Sequence, residues 1–147
     1  MTRLRKIRTA LALASACAAI VAFPSQAGAT ADQVRQPTDA QTAAAAASCS
    51  TGYVCFWTGL DYTGSKCTWL DGDPDWYSGS IRCSWAANGT PARSVYNAGT
   101  STRWTGVAYY AGANYVSRVG CTPQGRGGNF TQPRALRSHR WISTSCG

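Results

Sequence analysis

The sequence predicts an all-β sandwich stapled by disulfides, and three observations predict it. Seven short segments dense in aromatic and β-branched residues lie between glycines and prolines. Six cysteines fall within residues 49–147. A phrase, FWTGLDYTG at Phe56–Gly64, returns in looser form as YYAGANYVS at Tyr109–Ser117. Short strands at this spacing suit a sandwich or barrel, and no segment beyond the amino-terminal leader has a helical period. The expected strands are 53–57, 66–70, 81–85, 93–97, 105–110, 115–121 and 136–143. In the third, Ile81, Cys83 and Trp85 alternate with Arg82 and Ser84, as a half-buried strand demands.

The first third of the chain is not domain-like. Arg3, Arg5, Lys6 and Arg8 precede an apolar run from about Ala10 to Phe23, and SQAGATA then supplies small residues spaced for cleavage. Residues 1–31 therefore read as a secretory signal peptide, and the protein as secreted. The run is short of the ~20 residues a spanning helix needs, no later stretch can span a bilayer, and no adjacent arginine pair marks twin-arginine export. Residues 32–48, DQVRQPTDAQTAAAAAS, lack aromatics and read as a disordered linker or short propeptide with nothing to bury. One folded domain is expected at 49–147.

An even set of cysteines in a small exported domain implies disulfides. Cys49, Cys55, Cys67, Cys83, Cys121 and Cys146 allow up to three bonds, and 15 connectivities are open. A pairing of Cys121 with Cys146 leaves the other four to pair within the first half. No C-x2-C pair exists and the sole histidine is His139, so neither metal nor cofactor is expected.

Charge is lopsided. Residues 49–100 carry Lys66, Arg82 and Arg93 against Asp61, Asp71, Asp73 and Asp75. Residues 101–147 carry Arg103, Arg118, Arg126, Arg134, Arg137 and Arg140 with no acid. That half should attract anions such as wall polymers, membrane surfaces or an acidic protein; simple solubility explains it equally well. Nucleic acid is a poor partner for an exported chain.

Catalysis is disfavoured. The chain has no glutamate, and paired cysteines offer no thiolate. Adjacent Ser138 and His139 do not make a triad, and His139 is expected exposed on a sheet. Asp73 and Asp75, in one turn, cannot flank a sugar from opposite sides. DGDPDW places Asp71, Asp73 and Asp75 at alternate positions, but Trp76 and Arg82 stand where an EF-hand needs glycine and glutamate.

The repeated phrase carries the architecture. Aligning Trp57 with Tyr110 also matches Val54 with Val107, Gly59 with Gly112, Asp61 with Asn114 and Tyr62 with Tyr115. Each copy is followed by a serine landmark, Ser94 in ARSVYN and Ser138 in LRSHRW, so two related halves are predicted, about 49–99 and 100–147. The spacing suits a strand that folds over into a hairpin with the second ring lying back across the turn. Gly64 permits a positive φ there, and a serine from a later strand pins the folded backbone. Trp57, Tyr62, Gly64 and Ser94 take these roles in the first half, and Tyr110, Tyr115 and Ser138 in the second. Ser117 replaces the glycine, so that turn is either strained or differently shaped.

These residues resemble the Greek-key signature of the βγ-crystallin superfamily. Together, CSTGYVCFWTGLDYTGSKC, ARSVYNAGTSTRWTGVAYYAGANY and SHRW are similar to a secreted actinobacterial peptidase-inhibitor family with that fold, whose founding members inhibit metalloproteinases. The resemblance covers nearly all of 49–147. It implies a βγ-crystallin-like sandwich of two Greek-key motifs, an extracellular protease as partner, a monomer, and no catalytic residues. The crystallin-type calcium pattern, ended at Ser94 or Ser138, lacks its carboxylates in both copies, so no calcium is expected.

Such a scaffold displays a stiff loop that enters a protease cleft in extended form. Two loops are candidates, Asp71–Ser80 and the glycine-rich Thr122–Asn129; the first is preferred, with Asp73, Pro74, Asp75, Trp76 and Tyr77 as the inhibitory residues. Trp76 is expected to be exposed and, with Tyr77, to stack on a sugar or enter a partner's pocket, unless it lids the core. The alternative reading is a non-catalytic cell-wall or glycan-binding module, or an antifungal domain of the same fold.

Overall fold

A computed structural model describes residues 37–147, so the expected signal peptide lies outside the described residues. The chain forms two antiparallel sheets packed on a shared core. The elements are α1 (Asp39–Ser48), β1 (Val54–Trp57), β2 (Lys66–Trp69), α2 (Ser84–Ala87), β3 (Ala92–Asn97), β4 (Gly106–Tyr110), β5 (Arg118–Pro123), β6 (Gly127–Arg134) and β7 (Ser138–Ile142). One sheet has the order β2-β1-β3-β6 and the other β5-β4-β7. Strand β6, from the second half, thus completes the first sheet, and Asp73, from the first half, makes a bridge to His139 on β7. Each half lends backbone to the other's sheet.

The core between the sheets is aromatic. Phe56, Trp69, Trp76, Tyr109 and His139 are fully buried beside Val54, Val95, Val107 and Leu136. Trp76 stacks on Trp69 with centroids 4.5 Å apart, and Phe56 meets Trp76 at 4.8 Å and Tyr109 at 5.6 Å. Disulfides join Cys49–Cys55, Cys67–Cys83 and Cys121–Cys146. The first two lie within the first half, as expected.

Three sequence expectations need correction. The supposed linker is structured from Asp39 to Ser48 as α1, whose N-cap Thr38 and Gln41 form a capping box. The reason is β1: its residues are buried on both faces, Val54 and Phe56 toward the inter-sheet core, Cys55 and Trp57 toward a second cluster with Ala45, Cys49, Tyr62 and Tyr96. A strand apolar on both faces needs a cover, and Ala45 supplies it. Gln41 Nε2 donates to Asp61 Oδ1 and Lys66 Nζ donates to the Ser48 carbonyl, which pins the helix down. Second, the predicted strand 81–85 does not form. Ile81 is exposed and Ser84–Ala87 is a helical turn, because Cys83, tied to Cys67, turns the chain inward there. Third, the glycine-rich 122–129 stretch is a hairpin, β5 turning into β6.

The two folded hairpins are mirror copies in their bonding. Ser94 Oγ accepts from the Tyr62 amide at 3.2 Å and donates to the Gly59 carbonyl at 2.8 Å. Ser138 Oγ accepts from the Tyr115 amide at 3.1 Å and donates to the Gly112 carbonyl at 2.6 Å. The ring pairs Trp57–Tyr62 and Tyr110–Tyr115 meet edge-on at 5.3 and 5.7 Å. Asp61, Tyr62, Asn114 and Tyr115 all take positive φ, between 52° and 64°. Gly64 sits at φ 80°, where an added Cβ would lie 2.5 Å from Thr58 Oγ1. Its counterpart Ser117 adopts φ 60°, so that turn keeps the shape and bears the strain, about 1–2 kcal/mol.

Both serines are fully buried. Ser94→Ala and Ser138→Ala should each lower stability by about 1–3 kcal/mol, since each strands a backbone donor and acceptor. Chemical denaturation would measure both, and near-equal losses are expected from the near-equal bonding. Deleting residues 1–48 uncovers the Trp57–Tyr62–Tyr96 cluster. The truncated chain should melt at lower temperature and bind a hydrophobic dye that the longer chain does not.

Candidate functional site

The connection from β2 to α2, residues 70–83, is anchored at many points, and its anchors meet at one buried histidine. His139 is fully buried. The Trp76 indole N–H donates to His139 Nδ1 at 2.8 Å, so Nδ1 is the unprotonated nitrogen. Nε2 then carries the proton and donates to the Asp71 carbonyl at 3.1 Å. The backbones of Asp73 and His139 exchange two hydrogen bonds of 2.9 Å each. The expectation that His139 is exposed on the sheet is overturned: Phe56, Trp69 and Trp76 pack around its ring, and the loop bridges the outer edge of β7.

The acidic residues of the loop act as ties rather than as ligands. Asp73 accepts from Trp69 Nε1 and from the Asp75 amide, both at 2.8 Å. Asp75 takes a two-pronged bond from Arg137, Nε at 2.9 Å and an Nη at 3.1 Å. The Arg137 hydrogen bonds hold the Asp75 carboxyl down to about 2, and the same guanidinium lies 4.6 Å over the Tyr77 ring. The Pro74 carbonyl accepts from the Asn114 amide of the opposite half. Trp76, expected at the surface, is 0 % exposed. It lids the core and cannot enter a partner's pocket, because it is wedged between Trp69, Trp85 and His139. Of the residues singled out in the sequence, Asp73, Asp75 and Trp76 are therefore the footing of the loop, with Tyr77 half-buried beside them.

The exposed part lies just beyond. Ser78, Gly79, Ser80, Ile81 and Arg82 face solvent, and Ile81 is 45 % exposed. The amide of Cys83 bonds the Trp76 carbonyl at 2.8 Å, which closes the loop at its neck, and the Cys67–Cys83 disulfide locks it to β2. A cleft of about 330 Å³ runs along this loop, lined on its far side by Tyr53 and Leu70. The sequence placed Ser78–Ser80 of this tip in the candidate loop, but Ile81 and Arg82 at the start of a strand.

Arginines of the basic half are engaged within the molecule. Besides Arg137, Arg140 donates from Nε to the Tyr110 hydroxyl at 3.0 Å and lies over Tyr115, and Arg103 lies over Trp104. Among the described residues, no group of three or more metal-ligating side chains comes together. Nor is any helix among them long and apolar enough to cross a membrane.

The buried histidine makes stability depend on pH. Burial pushes the His139 pKa down to about 3, against the opposing hydrogen bond to Asp71. In the unfolded chain it titrates near 6.5. Between those values the unfolded state binds a proton that the folded state refuses, so stability is full above about 6.5 and falls as pH drops toward 3. Asp75, depressed from 3.8 to about 2, adds a loss of the same sign at the acid end. Melting temperature followed from pH 7.5 to 4.5 should stay level at first and then fall below about pH 6.5. His139→Gln should melt lower at neutral pH and lose less across that interval.

Comparison with known proteins places this geometry. No curated protein matches the chain significantly. The sequence profile described as peptidase inhibitor family I36 matches residues 42–122, more than half of the 147-residue chain. The match takes in most of α1, both disulfides of the first half and the whole anchored loop. The chain therefore belongs to peptidase inhibitor family I36.

Proposed function

We propose that this peptidase inhibitor works outside the cell, by holding the β2–α2 connection as a stiff loop in the active-site cleft of an extracellular peptidase. The single observation that carries the reading is the closed neck of the loop: Trp76 carbonyl to Cys83 amide, backed by the Cys67–Cys83 disulfide. A loop already ordered gives up little entropy on docking, so its contacts convert into affinity. The support is a βγ-crystallin-like sandwich of two Greek-key motifs. In favour of that description stand the paired serine pins and the exchange of β6 and Asp73 between sheets. Three disulfides suit an oxidising compartment, and residues 1–31 fit an export leader.

Metalloproteinase is the target class that the sequence resemblance implies. Asp73–Tyr77 serve as the footing of the loop rather than its contact surface. A second reading, glycan binding, has one observation in its favour. Trp104 and Trp141, both half-buried, line a groove of about 250 Å³ with Thr100 and Ser101, and indole faces are good platforms for sugar rings.

Purified, oxidised protein titrated against thermolysin-type and subtilisin-type peptidases should abolish activity of one class at a one-to-one ratio. Reduction of the disulfides should turn the same chain into a substrate. Pull-down on insoluble chitin and peptidoglycan, run alongside, tests the glycan reading. Retention there with no loss of any peptidase activity would overturn the loop-presentation reading.

A further inference from the structure

The loop 77–82 differs from the other connections of the molecule in one respect. Among the described residues, Gly79, Ser80, Ile81 and Arg82 make no hydrogen bond within the molecule, through backbone or side chain. Their neighbours on either side are fastened. Ser78 bonds Asp75 through both its amide and its hydroxyl, and Cys83 is fully buried with its amide on Trp76. The β5–β6 turn is the reverse: the amides of Gln124, Gly125 and Arg126 bond Thr105, Asn97 and Pro123. The turn after α2 is likewise closed through the amides of Asn88, Gly89 and Thr90. The connection around Thr100–Arg103 is exposed but neither enclosed by a disulfide nor furnished with an exposed large apolar side chain. Among the described residues, only the stretch 79–82 therefore combines open backbone donors and acceptors, a stapled frame and a large apolar side chain.

We propose that Gly79–Arg82 is the segment that pairs with the enzyme's cleft, and that Ile81 is the specificity-determining residue, seated in an apolar primary pocket. This rests on the loop-presentation reading and names its partner class: an endopeptidase that selects branched aliphatic side chains. Strand addition draws affinity from unpaired backbone groups, while one side chain supplies selectivity; the bent segment 79–82 keeps its own backbone groups open. Ile81 is flanked by Ser80 and exposed Arg82, so no other apolar group of the segment competes for the pocket. Arg82 is the obvious rival, because an exposed arginine would suit a trypsin-like enzyme. Its following residue rules it out. The Arg82–Cys83 peptide leads straight into a buried cysteine whose amide is already bonded and whose sulfur is tied to Cys67, so a cleft cannot close over both sides of it.

The experiment uses the full oxidised chain and three peptidases: thermolysin and subtilisin, which take apolar residues, and trypsin, which takes cations. Wild type, Ile81→Asp, Arg82→Ala and Val116→Asp are compared, the last placing the same charge on an exposed valine of the other half. Wild type should inhibit thermolysin or subtilisin and spare trypsin. Ile81→Asp should weaken that inhibition about 30-fold or more, the loss expected of a central hot spot. Val116→Asp should stay within about threefold, Arg82→Ala should lose far less than Ile81→Asp, and all four chains should melt alike by circular dichroism. After long incubation, mass spectrometry should find any nick between residues 79 and 82. Undiminished inhibition by Ile81→Asp, inhibition of trypsin lost in Arg82→Ala, or a nick in another loop would overturn the assignment to Ile81 while leaving loop presentation standing. Failure of wild type to inhibit any of the three would remove loop presentation as well.

Discussion

The functional face depends on one imidazole held neutral in the core. His139 receives the Trp76 indole N–H on one nitrogen and gives its own proton to the Asp71 carbonyl from the other. A charged ring in the same place could still serve the Asp71 carbonyl but not Trp76, because imidazolium has two donors and no acceptor. Trp76 would lose its buried acceptor, and an unpaired indole N–H in an apolar core costs on the order of 1–3 kcal/mol. Through Trp76 the same contact sets the Trp69 stack, and through the Asp73 backbone it covers the edge of β7. A bare edge would offer unpaired donors and acceptors to other chains; here the inhibitor's own loop occupies it.

The loop is consequently divided by role. Residues 71–76 spend their polar groups on the scaffold, and residues 79–82 keep theirs free. The division is sharp because the Cys67–Cys83 bond and the Cys83 amide both act at one point of the neck. A closed ring of this kind limits how far the tip can wander without needing bonds inside the tip itself. That is the combination a peptidase inhibitor requires, a rigid frame with an accommodating rim.

The two halves share a local design. The two hairpins reuse one bonding scheme, a buried serine tied to an aromatic amide and a glycine carbonyl. Because β6 crosses to the first sheet and Asp73 to the second, neither half buries its core alone. The halves are not equal. In the second a continuous strand makes the crossing; in the first only a single bridge does, and the rest of that crossover is free to bulge outward as the candidate inhibitory loop.

The mostly β class with two antiparallel sheets, the two hairpins with Ser94 and Ser138, and the confinement of four cysteines to the first half were all legible in the sequence. Each rests on local spacing: which residue permits a positive φ, which aromatic lies five positions on, which cysteines are near in the chain. The capping box at Thr38 and Gln41 and the four apolar residues of β1 were legible too, as marks of a helix and of a strand that needs covering. They went unread because an alanine-rich stretch has little to bury until Trp57 and Tyr62 are set beneath it. Tertiary structure alone decided the burial of Trp76 and His139 and the exposure of Ile81. GDPDWYSGS is polar enough to belong at a surface, and most of it does. Whether the indole within it turns out or in depends on an acceptor 63 residues away in sequence, and no local pattern carries that information.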